Sequence, residues 1–201
     1  MRPLRRGSLP EDPVALARFL LGRLVVRRLP HALAGGSIVE TEAYLPDDAA
    51  SHSFRGQTPR NRVMFDRPGH AYVYLCYGTA WMLNVSAGAI GIGAGVLIRA
   101  IEPRFGLDAM ASARGTQRLR DLARGPGRLA TALSIDRSLD GADLCATGPL
   151  FLSESGDPPP VITVSRRIGI ARDAHRPFRF SVADSPYVSG PRTAPTASIG
   201  C

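Results

Sequence analysis

The sequence predicts a single domain of the α+β class. Its 201 residues suit one domain, and neither an internal repeat nor an interdomain linker is visible. Strand-like segments are grouped along the chain while helical segments stand apart from them, which is typical of α+β rather than alternating α/β proteins. Hydrophobic residues make up 44% and charged residues 21% of the chain, values that exclude a wholly disordered protein.

The first element is a helix predicted over residues 8–23. Asp12 suits the N-cap position, and Pro13 suits the first helical position because its missing N–H has no partner there anyway. Apolar residues then recur at helical spacing and give the helix one buried face. A short strand is predicted next, over residues 24–29.

The strand predicted over residues 37–44 carries the first candidate chemistry. Gly35-Gly36 in front of it is a turn signal. Glu40 and Glu42 project from one face of this strand, about 7 Å apart. Two interpretations stay open: an exposed strand face, which is the commoner case, or a cleft in which one glutamate is a general base.

A long polar segment and a hairpin follow. Residues 45–70 lack clear periodicity, and about 25 such residues are long for a simple connection, so a functional loop is predicted. Strands over 71–77 and 81–86, joined by the turn signal Gly78-Thr79, predict a β-hairpin. The Gly- and Ala-rich residues 87–95 predict a flexible connection.

The second half of the chain predicts further strands and helices. The strands are expected over 96–101, 150–153, 161–168 and 178–182, and the helices near 107–112, 117–124 and 128–134. Arg99 lies inside the first of these strands, where an arginine is either at an edge that reaches water or buried against a glutamate. Residues 185–201 are rich in Pro, Ser, Thr and Gly and predict a loose tail.

Charge is the most informative property of the composition. The net charge is +8 and the pI about 10.4, and all 25 basic residues are arginine. Such an excess favours nucleic acid or another polyanion as partner. The absence of lysine excludes a P-loop and a lysine Schiff base.

Several other classes are disfavoured. No segment approaches the about 18 apolar residues of a membrane span, and the N-terminus does not resemble a signal peptide, so a cytoplasmic protein is expected. Cys76, Cys145 and Cys201 are odd in number and lack CxxC spacing, and the four histidines are scattered. Neither a disulfide framework nor a metal site is therefore predicted, and no cofactor is implied.

An aromatic set could line a ligand pocket. It comprises Tyr44, His52, Tyr72, Tyr74, Tyr77 and Trp81. Core packing explains most such sets, but rings with polar tips also suit stacking on a planar nucleobase.

Short motifs in a fixed order resemble one known family. They are Ile-Val-Glu-Thr-Glu-Ala-Tyr (38–44), His-Ser (52–53), Gln-Thr-Pro-Arg-Asn-Arg (57–62), Tyr-Val-Tyr-Leu-Cys-Tyr-Gly (72–78), Asn84, Val-Leu-Ile-Arg-Ala-Ile-Glu-Pro (96–103), Gly-Pro-Gly-Arg-Leu (125–129), Arg-Ile-Gly-Ile (167–170) and Pro-Phe-Arg-Phe (177–180). Together they resemble the alkyladenine (3-methyladenine) DNA glycosylases of the mammalian type. The resemblance implies one compact domain over 1–201, with its core at about 11–190. It also implies a curved, mainly antiparallel sheet, peripheral helices and a hairpin that inserts into DNA.

The resemblance also implies residue roles. Glu42 would be the general base, and Arg99 would help it to hold the attacking water. The remaining roles are a base pocket of Tyr44, His52, Tyr74, Asn84 and Leu97, an intercalating Tyr77, and DNA-binding positions at Thr58, Arg60, Met64 and Gly169. Within this set Asn84 would crowd the exocyclic amine of guanine, and Met64 would line the lesion-side wall with Leu97.

The implied activity is that of a DNA glycosylase in base excision repair. Its substrates would be purines such as 3-methyladenine, 7-methylguanine or hypoxanthine in double-stranded DNA. Because no lysine can form an imine, the enzyme is expected to leave the strand uncut. A monomer is expected, associated with the nucleoid if the source is bacterial. Three alternatives stay open: a non-catalytic DNA-binding module of the same fold, a basic RNA-binding domain, and a hydrolase of free nucleosides, which the arginine content disfavours.

Overall fold

The computed structural model describes residues 1–190 of the chain. Three α-helices form: α1 (Pro13–Leu20), α2 (Leu107–Arg114) and α3 (Pro126–Ala132). The strands are β1 (Leu24–Arg28), β2 (Leu33–Tyr44), β3 (Ala71–Cys76), β4 (Ala80–Ser86), β5 (Gly95–Phe105), β6 (Leu150–Ser153), β7 (Ile162–Ser165) and β8 (Arg179–Val182). Short 3₁₀ turns lie at Arg6–Ser8, Arg62–Phe65, Leu119–Asp121 and Arg137–Leu139.

All eight strands form one antiparallel sheet built around β2. The main order is β3-β4-β5-β2-β1-β6, and β8 pairs with both β2 and β7. One edge of β2 runs along β5, while its other edge pairs with β1 near Ser37 and with β8 from Glu40 to Glu42. Register shifts around Glu40 interrupt the β2–β5 ladder, and such irregularities bend a sheet. The predicted α+β fold around a curved antiparallel sheet is confirmed.

The main core lies between this sheet and the helices. Leu16 and Leu20 of α1, Ile98 of β5 and Leu129 of α3 are all fully buried in it. The Thr41 hydroxyl donates to the Ala17 carbonyl at 2.8 Å, which ties α1 to β2. No helix within residues 1–190 has the length and apolar character needed to cross a membrane.

Strand β2 is buried along most of its length. Both Glu40 and Glu42 are 0% exposed, so an exposed strand face, the commoner of the two interpretations, is wrong for this strand. The predicted turn at Gly35-Gly36 is also wrong, because both residues lie inside β2. A Cβ atom at Gly36 would lie 1.9 Å from the Glu102 carbonyl oxygen, so glycine here permits close approach of the neighbouring strand.

The predicted hairpin forms from β3 and β4. The Thr79 amide donates to the Cys76 carbonyl at 3.0 Å and closes the turn. Tyr77 and Gly78 have φ values of 48° and 72°, the left-handed region that tight hairpin turns require. The Tyr77 side chain is 92% exposed at the tip.

Two predicted helices are shorter in the structure, and the strand predicted over 161–168 covers only Ile162–Ser165. The first helix covers Pro13–Leu20 rather than 8–23, although Asp12 caps it as expected by accepting from the Ala15 amide at 2.7 Å. The helix expected at 117–124 is only the 3₁₀ turn Leu119–Asp121.

The structure describes the expected loose tail only up to residue 190. Ser189 is 5% exposed and donates to Glu40, so the described end of the chain packs against the sheet. Residues 191–201 of that tail lie outside the described residues.

Candidate active site

A cavity of about 840 Å³ opens beside the hairpin. This volume is in the range of small-molecule pockets. Its walls come from the hairpin, the 45–64 loop, β5 and residues 168–172. Ten of the residues to which the resemblance gives roles line it: Tyr44, His52, Arg60, Met64, Tyr74, Tyr77, Asn84, Leu97, Arg99 and Gly169.

Glu42 lies behind this lining and connects to it through its hydrogen bonds. Its Oε2 accepts from the Tyr44 hydroxyl at 2.9 Å and forms an ion pair with Arg99 Nη1 at 3.1 Å. Its Oε1 accepts from the Ile168 amide at 2.8 Å. Each carboxylate oxygen can accept about two hydrogen bonds, so these contacts leave a position on Oε1 for a further partner such as water.

Arg99 joins Glu42 to a second carboxylate. Its side chain is buried, and its Nε donates to Glu40 Oε1 at 3.0 Å. Burial by itself lowers the pKa of Arg99. The negative charges of Glu42 and Glu40 outweigh this effect, so the pKa of Arg99 is raised. Of the two interpretations of Arg99, the pair with a buried glutamate is therefore the one observed.

Glu40 belongs to a cluster that sequence reasoning did not find. Besides Arg99 it accepts from Arg179 Nε at 2.7 Å and from the Ser189 amide at 2.6 Å and hydroxyl at 3.0 Å. The alternation of β2 places Glu40 on the face of Glu42. Its other partners come from distant parts of the chain, and no local pattern signals them.

Aromatic rings form one wall of the cavity. The ring centroids of His52 and Tyr74 are 4.4 Å apart, and those of Tyr72 and Tyr74 are 5.3 Å apart in a stacked pair. The His52 Nδ1 atom and the Tyr72 hydroxyl are 2.9 Å apart. His52 and Tyr74 thus lie on the same side of the cavity, with no gap between them for a planar ligand.

These rings are neutral at neutral pH. Burial raises the pKa of Tyr72 to about 12 and raises the pKa of Tyr74 as well. Burial and then the charge of Glu42 raise the pKa of Tyr44. Partial burial and then the nearby Arg60 lower the pKa of His52.

Tyr44 is backed by a buried ion pair. The Arg167 guanidinium lies 4.7 Å from the centroid of the Tyr44 ring. Arg167 Nη2 donates to Asp48 Oδ1 at 2.9 Å, and its Nη1 donates to the Ala43 carbonyl at 3.0 Å. This pair fixes the Tyr44 ring and holds the Ile168 amide, next along the chain, toward Glu42.

Three smaller side chains complete the inner lining. Asn84 Nδ2 donates to the Tyr72 carbonyl at 3.1 Å, and Asn84 pairs with Leu97 across β4 and β5. Met64 is buried beside Tyr72. This part of the lining therefore presents one amide among apolar and aromatic groups.

Some of the predicted DNA-binding positions line the cavity, and one lies outside it. Arg60 lies at the cavity, where its Nη2 donates to the Leu75 carbonyl at 3.2 Å and its guanidinium is 5.9 Å from the Tyr74 ring centroid. Gly169 also lines the cavity, with a φ of 75°. Thr58 is exposed and lies outside the lining, where its amide and hydroxyl donate to Asn61 Oδ1. Within residues 1–190, no group of three or more His, Cys, Asp or Glu side chains is placed to hold a metal ion.

Comparison with known proteins gives a consistent result. Residues 8–186 match the model of the family described as methylpurine-DNA glycosylase. A protein of Mesorhizobium japonicum is 60% identical over 191 residues, which cover 95% of this chain and 92% of that protein. A Paraburkholderia phytofirmans protein is 50% identical, covering 94% of this chain and 89% of its own. A protein of Methanoculleus marisnigri is 47% identical, covering 89% of this chain and 94% of its own. All three carry the name "Putative 3-methyladenine DNA glycosylase".

Proposed function

The chain belongs to the methylpurine-DNA glycosylase family, and from that premise we propose that it flips a damaged purine out of duplex DNA and hydrolyses the N-glycosidic bond. The observation that carries the proposal is the buried Glu42 carboxylate, held by two hydrogen bonds and the Arg99 ion pair behind an aromatic cavity of about 840 Å³. The substrates proposed are 3-methyladenine, 7-methylguanine and hypoxanthine in double-stranded DNA.

Access to the bond requires base flipping, because a duplex hides the sugar–base linkage. Tyr77 protrudes from the hairpin tip beside the cavity and is 92% exposed. Inserted into the duplex, its ring replaces stacking that the flipped nucleotide loses, at about 1–3 kcal/mol per stacked base. Arg60, Thr58 and the Gly169 backbone are the proposed phosphate contacts.

The flipped base is proposed to lie between Tyr44 on one side and the His52–Tyr74 pair on the other. A positively charged alkylpurine gains about 0.5–2 kcal/mol from cation–π contact with tyrosine faces. The neutral state of His52 supports this arrangement, since a charged imidazole would repel such a base. Asn84 is proposed to crowd the exocyclic amine of guanine, while Leu97 and Met64 form the lesion-side wall.

The chemical step is proposed to use a water held at the free acceptor position of Glu42. The water oxygen bonds to C1′ of the sugar as the C1′–N bond breaks, and the base leaves with the bonding electrons. Glu42 takes the proton released by the water, and Arg99 keeps the carboxylate oriented. General-base help of this kind is worth about 10²–10⁴-fold, which is sufficient for an alkylated base that is already a good leaving group.

The strand is proposed to remain intact after base release. Cleavage by glycosylases of the bifunctional type needs an amine that forms an imine with the sugar. No lysine occurs in the sequence, so no side-chain amine can form one. The product is then an abasic site in an uncut strand.

Base release from a duplex containing one 7-methylguanine tests the proposal. Wild type is expected to release the base and to give nicks only after alkali. Glu42→Gln is expected to retain duplex binding and to lose about 10²–10⁴-fold in rate, because the amide cannot accept the proton. Glu102→Gln, a partly exposed glutamate of β5, is the matched control and should behave as wild type.

Each other result has a defined meaning. Tight binding without release by wild type would indicate a non-catalytic DNA-binding module of the same fold. Equal release by wild type and Glu42→Gln would keep the enzyme and reject Glu42 as the base. Nicks that form without alkali and persist through purification would reject the uncut product.

A further inference from the structure

Glu40 is a buried carboxylate that the proposed reaction does not use. Its two oxygens accept four hydrogen bonds: one from Arg99, one from Arg179 and two from Ser189. Three of these donors reach Oε1 and one reaches Oε2. Arg179 and Ser189 do not line the cavity, so three of the four donors to Glu40 come from residues outside the cavity lining.

Ser189 supplies three polar atoms to this cluster. Its amide and hydroxyl donate to Glu40, and its carbonyl accepts from Arg179 Nη2 at 2.9 Å. Its hydroxyl oxygen also accepts from Arg99 Nη2 at 3.3 Å. Ser189 therefore joins the described end of the chain to both buried arginines.

These contacts fix the orientation of Arg99. Its Nε is held by Glu40 and its Nη2 by Ser189, so the planar guanidinium can present Nη1 in only one direction. That direction leads to Glu42 Oε2 at 3.1 Å. Loss of either anchor leaves the guanidinium free to rotate away from the carboxylate that it orients.

Stability alone is a weak explanation for this cluster. Two carboxylates and two guanidiniums lie buried together, with the side chains of Glu40 and Glu42 0% exposed and that of Arg179 2% exposed. Burying such charges costs solvation, and well-packed apolar residues often serve stability as well or better. A cluster of this composition is better explained by a requirement for fixed geometry.

We propose that Glu40 and Ser189 are positioning residues that hold Arg99 toward Glu42, so that residues 185–190 complete the catalytic site. The inference rests on the proposed function, because it needs base release as its readout. It predicts an effect on the chemical step and none on lesion binding.

Ser189→Ala tests the proposal with a minimal change. The variant keeps the backbone contacts of residue 189 and removes only the hydroxyl that bridges Glu40 and Arg99. Ser165→Ala is the matched control, because the Ser165 hydroxyl accepts from Arg179 Nη1 at 2.9 Å in the same cluster without touching Arg99. The measurements are the single-turnover rate of 7-methylguanine release with saturating enzyme, the fraction of active enzyme, and the Kd for the duplex.

Ser189→Ala is expected to slow the single-turnover rate about tenfold, since small displacements of catalytic groups have effects of this size or larger. Its Kd should stay within about twofold of wild type, and Ser165→Ala should change neither quantity. Glu40→Gln should slow the same step by more in the fraction that folds, because an amide cannot accept all four donors.

A Ser189→Ala rate equal to that of Ser165→Ala would overturn the inference while leaving the proposed function intact. A loss confined to the fraction of active enzyme, at unchanged rate, would also overturn it, since that pattern reports folding alone. A wild type that releases no base would overturn the proposed function, and the inference with it.

Discussion

Glu40 and Glu42 lie two residues apart on β2, are both fully buried, and have different hydrogen-bond environments. Glu40 is held by Arg99 and by Arg179 and Ser189, which lie outside the cavity lining. Glu42 is instead contacted by Tyr44, Arg99 and Ile168, all of which line the cavity. Glu40 and Glu42 therefore have different neighbours, although they are the same residue type on the same strand face. These contacts with the cavity lining support Glu42, rather than Glu40, as the site of an attacking water.

His52 leads to a prediction about pH. Its ring contacts Tyr72 and Tyr74, and partial burial followed by the charge of Arg60 holds the pKa of His52 below its ordinary value of about 6.5. As the pH falls below that value, the unfolded chain takes up a proton at this position and the folded chain does not. Folding stability should therefore decline as the pH is lowered from about 6.5.

Urea unfolding between pH 7.5 and 5, followed for wild type and His52→Gln, measures this effect. The free energy of unfolding of wild type is expected to fall more steeply below pH 6.5 than that of the variant, because glutamine has no proton to gain. Parallel curves over this range would contradict the assignment of a lowered pKa to His52.

The elements that follow local rules could be predicted from the sequence. The Asp12 cap, the Pro13 start and the β3–β4 hairpin all depend on residues within a few positions of one another, and each is observed. Gly35-Gly36 misled the prediction because glycine signals both turns and close strand contacts. Only the neighbouring strand, about 65 residues further along, shows which applies.

The same distinction applies to the candidate site. The alternation along β2 placed Glu40 and Glu42 on one face, and family resemblance supplied roles for the cavity residues. The anchors Arg179 and Ser189 were missed because they lie 139 and 149 residues from Glu40 and carry no local signal. Burial of charge had to be seen in the fold before the cluster could be recognised.

A substitution in the hairpin is predicted to raise the stability of the protein and to lower its affinity for DNA. Tyr77 adopts a φ of 48°, a conformation that costs a non-glycine residue about 1 kcal/mol or more, while its exposed ring gains little from packing. Asparagine tolerates this conformation better. Tyr77→Asn should therefore raise the free energy of unfolding by up to about 1 kcal/mol.

The same substitution removes the proposed wedge. Affinity for lesion duplex is expected to fall by about 10- to 100-fold, which corresponds to one lost stacking contact. Thr79→Ala, also exposed at this tip, is the control and should retain wild-type affinity. Thermal unfolding and duplex titration measure the two effects. A destabilised Tyr77→Asn, or one with unchanged affinity, would contradict the strained-wedge interpretation.

Charge distribution is a property of the whole molecule. The buried arginines Arg99, Arg167 and Arg179 are paired with three buried carboxylates, Glu40, Glu42 and Asp48. These pairs balance, so the net charge of +8 is carried by the rest of the chain. Arginines outside the buried clusters are therefore the ones available to DNA phosphates, and binding should weaken as salt increases.

Arg60 is an exposed arginine at the cavity, and it allows the salt dependence to be tested quantitatively. Each phosphate contact contributes about −0.9 to the slope of log K against log salt concentration for duplex DNA. Arg60→Ala should make that slope less negative by about 0.9 and should weaken lesion and undamaged duplexes alike. Duplex titrations between about 50 and 200 mM salt measure both the slope and the affinity.

Arg28→Ala is the matched control, because Arg28 is exposed on β1, three strands from the hairpin in the sheet order β4-β5-β2-β1. Its slope should equal that of wild type. Equal slopes for Arg60→Ala and Arg28→Ala would remove Arg60 from the phosphate contacts. A loss restricted to lesion duplex, with an unchanged slope, would instead assign Arg60 to the base pocket, where its guanidinium already lies 5.9 Å from the Tyr74 ring centroid.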